Sequence, residues 1–526
     1  MKRIVTFILV SVMLLSVCTG CGGSKAGGGN RDKNILNISV FDGGYGTKYL
    51  ETIAESFEAE YPGIDVVIET TDLFSEIQQQ VEADRYVADI IITTSSYISY
   101  GAKGKVLDIT DVYESYPYGE DGVKTIKEKL GETADANEFE GVYYQLPVHS
   151  GSTGIVYNKV YLDAIYGEDN YELPVTSNQL VNMYKDIKAK NGWATVYTCS
   201  TAAEYAVWLR DIWTAQYLGY EEYKNFYDIS YTDASGSVKK AEKAEELSGA
   251  LKAARKSALT PLAELMSSSF GYAPPSCASM TYQQAQAYFA GFTAQTDVKT
   301  VDGHEGAAFM INGDWLYGEI EKYGEEVELD VRFMRTPINS SIIDKLSTVT
   351  SEEQLVECVK YIDTVIDGAE GTRPAYLSDE DYNRLYEARR MVWTTHAQQI
   401  ATIPTTCTDE TIAKDFLKFL ASDASALLYS DTLNGMKSVF SDTAYAENKQ
   451  NNFTESLNEA FKQPLRVTTL STPYTAYGEL DFFRYYYFIQ ELYKCENVET
   501  TVKGILEWTE DDFSKSWQKV VESYQQ

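Results

Sequence analysis

The stretch that decides the fold begins Ile35-Leu36-Asn37-Ile38-Ser39-Val40-Phe41-Asp42-Gly43-Gly44-Tyr45-Gly46 and runs on to Tyr61-Pro62-Gly63. Ile35 to Val40 reads as a strand, and Phe41 to Gly46 breaks it. Leu50, Ile53, Ala54 and Phe57 then recur at helical spacing on one face. Tyr61-Pro62-Gly63 stops that helix. Ile64 to Glu69 is a second strand, Ser75 to Arg85 a short polar helix, and Ala88 to Thr93 a buried strand ending in Thr94-Ser95-Ser96. Strand, helix, strand, helix, strand predicts a parallel sheet with crossover helices. Ligands of such sheets sit outside the carboxyl ends of the strands. Here those ends are Phe41 to Gly46 and Thr94 to Tyr97.

Farther along, Val142 to Pro147 and Gly154 to Asn158 read as strands. His149-Ser150-Gly151-Ser152-Thr153 lies between them, a run of small residues suited to a hinge. Residues 160–300 are helical by pattern and include Trp208 and Trp213. Ala307 to Ile311 is a buried strand, after which Asn312-Gly313-Asp314-Trp315 turns into a helix. Thr408 is placed to cap a later helix, with Asp409 and Glu410 in its first turn. Ile412, Phe416, Phe419 and Leu420 give that helix an apolar face. Phe513, Trp517, Val520, Val521 and Tyr524 predict an amphipathic helix near the C-terminus.

The N-terminus carries an export signal. Met1-Lys2-Arg3 is basic, Ile4 to Val17 is apolar, and Thr19-Gly20-Cys21 follows. The apolar run is shorter than the ~20 residues needed to span a bilayer. Cys21 after a small residue looks like the lipid-bearing start of a mature bacterial lipoprotein. Cys18 is a rival acceptor with a poorer site at Ser16-Val17. Residues 1–20 are then a leader, and the Gly-rich 21–33 a flexible tether. The expected location is the outer face of the cell membrane, held by acyl chains such as palmitate.

Composition narrows the function. The 526 residues suffice for two or more domains, and 44% hydrophobic residues allow real cores. A net charge of −33 argues against nucleic acid and against docking on anionic lipid. Beyond Cys18 and Cys21, the cysteines at 199, 277, 358, 407 and 495 are scattered, form no CxxC pair and suit no disulfide framework or zinc site. Three histidines are likewise too few for a metal centre, and no cofactor motif appears. Gly44-Tyr45-Gly46 lacks the third glycine of a dinucleotide fingerprint, and no H-E-x-x-H occurs. Ser150 to Gly154 fails G-x-S-x-G because His149 holds the first glycine place. No internal repeat is visible. The 41 tyrosines offer flat faces with a hydroxyl, which suits sugars but is weak as a signal.

Four regions taken in order carry a resemblance. They are Ile38 to Ile64; Ala88 to Ile92 with Gly104-Lys105-Val106-Leu107-Asp108; Gly141 to Pro147 with Gly154 to Lys159; and Gly306 to Trp315 with Ala413 to Leu420. The chain resembles the family-1 extracellular solute-binding proteins of ABC importers, the maltose-binding-protein type. That resemblance implies an α/β, two-lobed periplasmic-binding-protein-like fold of type II with a ligand cleft between the lobes. By analogy, 35–149 with 340–430 form lobe one and 150–335 with 431–526 form lobe two. Residues 336–400 and the long, Tyr-rich 436–500 depart from the smaller members.

The function so implied is closure of the cleft on a carbohydrate, an oligosaccharide by preference, which a membrane permease then reads. Aromatic faces cover the C–H faces of a pyranose, and Asp, Asn, Gln and Arg satisfy its hydroxyls. Asp42 is the candidate acceptor and Tyr45 the candidate stacking face on the first turn. Ser95, Ser96 and Tyr97 sit at the next strand end. Trp315 stands where the family places a stacking aromatic, with Asn312 and Asp314 on the same turn. His149 lies at the presumed crossing, and Trp213 is a candidate on lobe two. The expected protein is a monomer with a sugar ligand, permease subunits and a lipid anchor as partners, no nucleic acid and no cofactor. The alternatives are a receptor for a non-sugar solute and a glycan-degrading enzyme, although no positioned carboxylate pair is identifiable.

Overall fold

In a computed structural model of the chain, the described residues are 32–199, 205–227, 229–292, 295–395, 397–441, 443–467 and 485–525. The expected leader, residues 21–31 of the expected tether with Cys21, His396 and residues 468–484 of the Tyr-rich stretch lie outside them.

Two five-stranded sheets carry two lobes. The first sheet runs in the order Asp65–Thr70, Ile35–Val40, Ile90–Thr93, Gln399–Thr402, Leu146–His149. Its first three strands are parallel, with Ile38 opposite both Ile68 and Ile90. The helix Lys48–Glu60 covers one face. Its stripe of Leu50, Ile53 and Phe57 packs on Ile38, Ile90 and Ile92. Burying such side chains contributes about 1.5–3 kcal/mol each, which docks the helix and so directs Phe41 to Tyr45 to one sheet edge.

The second sheet is built around Ser152–Asn158. Phe309–Gly313 pairs antiparallel along one side of it. Val331–Met334 and Met391–Thr394 share the other side, and Leu465–Val467 adds parallel to Met391–Thr394. The helix Tyr205–Leu218 lies against this sheet with Val207, Leu209 and Trp213 in the core.

The chain crosses between lobes at His149–Ser152 and returns at Thr394–Gln399. The two crossing segments lie side by side. Thr395 N–H donates to Gly151 O at 2.9 Å, and Gln398 N–H to His149 O at 2.7 Å. The Thr394 and Thr395 hydroxyls both donate to Ser150 O. Gly151 has φ +38°, and a Cβ there would sit 2.6 Å from Gln398 Cβ, so only glycine fits this hinge.

The return crossing corrects the expected boundary near 340. Residues 340–394 stay with lobe two. Leu355, Cys358, Val359 and Ile362 of the helix Glu352–Ile366 form a separate core with Ile338 and with Leu385 and Ala388 of Asp379–Arg389. A third crossing follows Phe440, which is still in the lobe-one core, and precedes Asn452–Ala460, which packs on Val331 and Phe333. It therefore falls later than the expected 431. Asp409, not Thr408, caps Glu410–Leu420, its carboxylate accepting from Thr411 and Ile412 N–H. Thr408 instead donates its N–H to Asp89 at 2.6 Å. Among the described residues, no helix is long and apolar enough to cross a membrane.

Candidate functional site

The carboxyl end of Ile35–Val40 meets the turn after Phe309–Gly313 where the lobes face each other. Gly43-Gly44-Tyr45 comes from lobe one and Asp314-Trp315 from lobe two. Gly44 takes φ +69°, and a Cβ on it would lie 2.4 Å from Trp315 Cβ. Tyr45 is 6% exposed, and its hydroxyl donates to Asp314 Oδ1 at 2.6 Å. The other oxygen of Asp314 accepts from Ser152 N–H at 2.8 Å, and Asp314 N–H returns a bond to Ser152 O at 2.9 Å. One carboxylate thus joins the lobe-one turn, the lobe-two turn and the hinge.

His149 sits directly beneath. Its ring stacks on Tyr45 at 3.9 Å and 4°, and Tyr49 meets it edge-on at 4.9 Å. Its Nδ1 pairs with the Tyr429 hydroxyl at 2.7 Å. Burial pushes the imidazole down to about 3, so His149 is neutral at physiological pH. Burial also lifts the Asp314 carboxyl to about 6, against the pull of the Tyr45 and Ser152 bonds. The phenols of Tyr45, Tyr49 and Tyr429 are all raised by burial and stay protonated.

Aromatic faces flank this junction. Tyr205 and Trp208, both half-buried, stack at 4.3 Å and 26° at the start of their helix. Each meets Trp315 edge-on, at 6.2 and 5.8 Å. Trp208 packs against the cores of both lobes. On lobe one, half-buried Phe41 and Phe74 make an edge-to-face pair at 4.8 Å. Gln399, buried in its strand, donates Nε2 to Phe41 O at 3.3 Å and fixes the turn from below.

The structure brings Tyr45, His149, Asp314 and Trp315 together, with Asp42 exposed on the adjoining turn. Tyr45, His149 and Trp315 spend their faces on one another or on protein, and Trp315 is only 8% exposed. The other candidates lie elsewhere. Ser96 Oγ and Tyr97 N–H both donate to Gln145 Oε1, at 3.1 and 3.0 Å, while Ser95 N–H reaches Thr93 Oγ1. The Tyr97 ring is buried with Ile77, Val81 and Ile91, because Gln145 draws that turn inward. Trp213 is fully buried in lobe two and donates Nε1 to Pro337 O at 2.9 Å. Asn312 is also fully buried, its Oδ1 accepting from Gly313 N–H. Sequence reading passed over Tyr205, Trp208, Phe41, Phe74 and Gln399 as site residues. The i, i+3 spacing of Tyr205 and Trp208 and a glutamine opening an apolar strand were the available signals.

The sequence profile of the bacterial extracellular solute-binding proteins matches residues 43–344, more than half of the chain. The protein belongs to that family. Like its family, this solute-binding protein binds rather than transforms its solute, and the family places it outside the cytoplasm. No curated protein matches it at a significant level. Among solved structures it is similar to the solute-binding protein RafE in complex with raffinose, at 14% identity and TM-score 0.57, over 92% of this chain and 99% of that one. A structure from work on xylan utilization by Caldanaerobius polysaccharolyticus gives the same figures. A chitin oligosaccharide binding protein matches at 14% identity and TM-score 0.56, over 91% of this chain and 99% of that one. At such identity the likeness speaks for the two-lobed fold.

Proposed function

We propose that this solute-binding protein captures a carbohydrate, an oligosaccharide by preference, and delivers it unaltered to the transmembrane subunits of an ABC importer. The observation that carries this is the pairing of aromatic walls at the junction of the lobes. Tyr205 with Trp208 forms one pair of half-buried faces there, and Phe41 with Phe74 forms another. Flat apolar faces suit the C–H faces of sugar rings. The exposed Asp42 carboxylate on the adjoining turn is available to a hydroxyl. Raffinose and chitin oligosaccharide, named for two proteins of similar fold, are solutes of the same class. Cys21, freed by cleavage after Gly20, tethers the protein as a lipid-anchored monomer on the outer face of the membrane, the spacer leaving the lobes free to meet the permease.

A thermal-shift screen against a carbohydrate panel tests the reading, with peptides and polyamines as comparison solutes. A ligand at 100 times its Kd stabilises the folded state by about 2.7 kcal/mol. At least one glycan should raise Tm by several degrees. A response confined to peptides or polyamines would replace the sugar with that solute.

A further inference from the structure

Lobe closure in a solute-binding protein needs a free-energy difference between open and closed states, which a bound solute ordinarily supplies. Here the two lobes also grip each other directly. Tyr45 of lobe one donates to Asp314 of lobe two, and Asp314 is bolted to the hinge by its two bonds with Ser152. The backbones touch as well: a Cβ on Gly318 would lie 2.3 Å from Gly44 O. Opening the cleft separates Tyr45 from Asp314 and returns the carboxyl to water.

We propose that the Tyr45–Asp314 contact is a proton-controlled latch that closes the empty cleft as the pH outside the cell falls. The proposal concerns the lobes alone and is independent of which solute the cleft takes.

The groups around the latch identify what titrates. Facing Asp314 are Tyr45 from the turn and Tyr429 from Asp423–Thr432, and behind them lie Tyr49 from the helix Lys48–Glu60 and His149 from Leu146–His149. The three phenols are raised by burial, and the imidazole is lowered to about 3. None of these changes charge between pH 4 and 7 in the closed state, and His149, enclosed by Tyr45, Tyr49 and Tyr429 of its own lobe, stays covered when the lobes part. Burial raises Asp314 to about 6, so within this group it alone changes charge there. Glu319, five residues on and also raised by burial, to about 7, takes its hydrogen bond from Gln286 within lobe two and so does not bridge the lobes.

The sign follows from linkage. In the open state Asp314 is hydrated and returns towards an ordinary carboxylate value near 4. The closed state holds the proton more tightly. Closure is therefore favoured as pH falls through 6 and is fully favoured near 4. A difference of about two pKa units sets a ceiling of roughly 100-fold on the change in the closing equilibrium. Lowering the pH from 7.5 to 5.0 captures about tenfold of it, since only one unit of the window is crossed.

Small-angle scattering of the ligand-free protein at pH 7.5 and 5.0 tests this. Wild type should be more compact at pH 5.0 than at pH 7.5. Asp314→Asn, a neutral side chain of the same shape, should be compact at both pH values. Tyr45→Phe, lacking the donor, should be more open than wild type at pH 5.0. Glu319→Gln should keep the wild-type response. A radius of gyration in wild type that does not change with pH would overturn the latch. So would an unaltered pH response in Asp314→Asn. If Asp314→Asn does not fold, wild type and Glu319→Gln decide: loss of the response in Glu319→Gln assigns it to Glu319 and refutes the proposal. Failure of the glycan screen leaves these outcomes unchanged.

Discussion

Substituting Gly318 by Ala should block closure without harming either lobe. Gly318 lies in the short helix Leu316–Ile320 that Trp315 opens. The added Cβ would stand 2.3 Å from Gly44 O, where real Cβ atoms keep at least 3.0 Å. The obstructing atom is backbone, so no side chain can rotate away. The turn and the helix are also closely apposed at Gly44 itself, where a Cβ would lie 2.4 Å from Trp315 Cβ, so only a parting of the two can relieve the clash. Relief requires the lobe-one turn to move by about 1 Å, and overpacking of this kind costs about 1–3 kcal/mol. The whole cost falls on the closed state. Within the helix, alanine is preferred to glycine by about 0.5–1 kcal/mol, so lobe two itself is not destabilised. Solute affinity should then weaken about 5- to 150-fold, read by calorimetry with the tightest glycan of the panel. The Tm of the ligand-free protein should hold within a degree or two. Wild-type affinity in a folded Gly318→Ala variant would refute the reasoning, because it would mean that the bound state does not bring Gly44 onto this helix.

Other outcomes follow from the same geometry. Trp208→Ala removes a half-buried face; losing about 80 Å² of apolar cover from the solute is worth about 2 kcal/mol, or roughly 30-fold in Kd by calorimetry, and unchanged binding would move the site off this wall. Asp381→Asn should lower Tm by about 5 °C at pH 7, since Ser347, Thr348 and Val349 all donate to this buried carboxylate. Burial opposes the charged form of Asp381, yet those bonds outweigh it and hold the carboxyl below its usual range. Its contribution is therefore complete at neutral pH and fades as pH falls through that depressed value, so the wild-type and variant melting curves should converge in acid. Gly151→Val should impair the hinge: with φ +38° and Gln398 Cβ 2.6 Å away, the expected result is a drop in Tm and slower solute association by stopped flow.

Much of the scaffold was readable because periodicity reports burial directly. Leu50, Ile53 and Phe57 face the core as their spacing requires, and the strands Ile35–Val40 and Ile90–Thr93 lie within the runs read from sequence. The strand, turn and helix read across Ala307 to Trp315 occur in that order, but the strand Phe309–Gly313 takes in Asn312 and Gly313, which leaves Asp314 and Trp315 as the turn. What the turn does was not readable. Asp314 is defined by Tyr45, 269 residues away, and no local pattern encodes that pairing. His149 looked like an isolated polar residue at a crossing; its partners Tyr45, Tyr49 and Tyr429 come from three other elements. Leu355, Val359 and Ile362 fall at helical spacing within 336–400, but an apolar face carries no address and does not say which lobe it joins. Tyr97 stands at a strand end, the place of a rim residue, yet Gln145, 48 residues away, pins its backbone inward.

The most direct test of a two-lobed receptor that shuts on a sugar is scattering at pH 7.5 with and without the tightest glycan of the panel. The radius of gyration should fall on binding, and the glycan should be recovered intact. An unchanged radius at saturating glycan, or a hydrolysed one, would contradict the account.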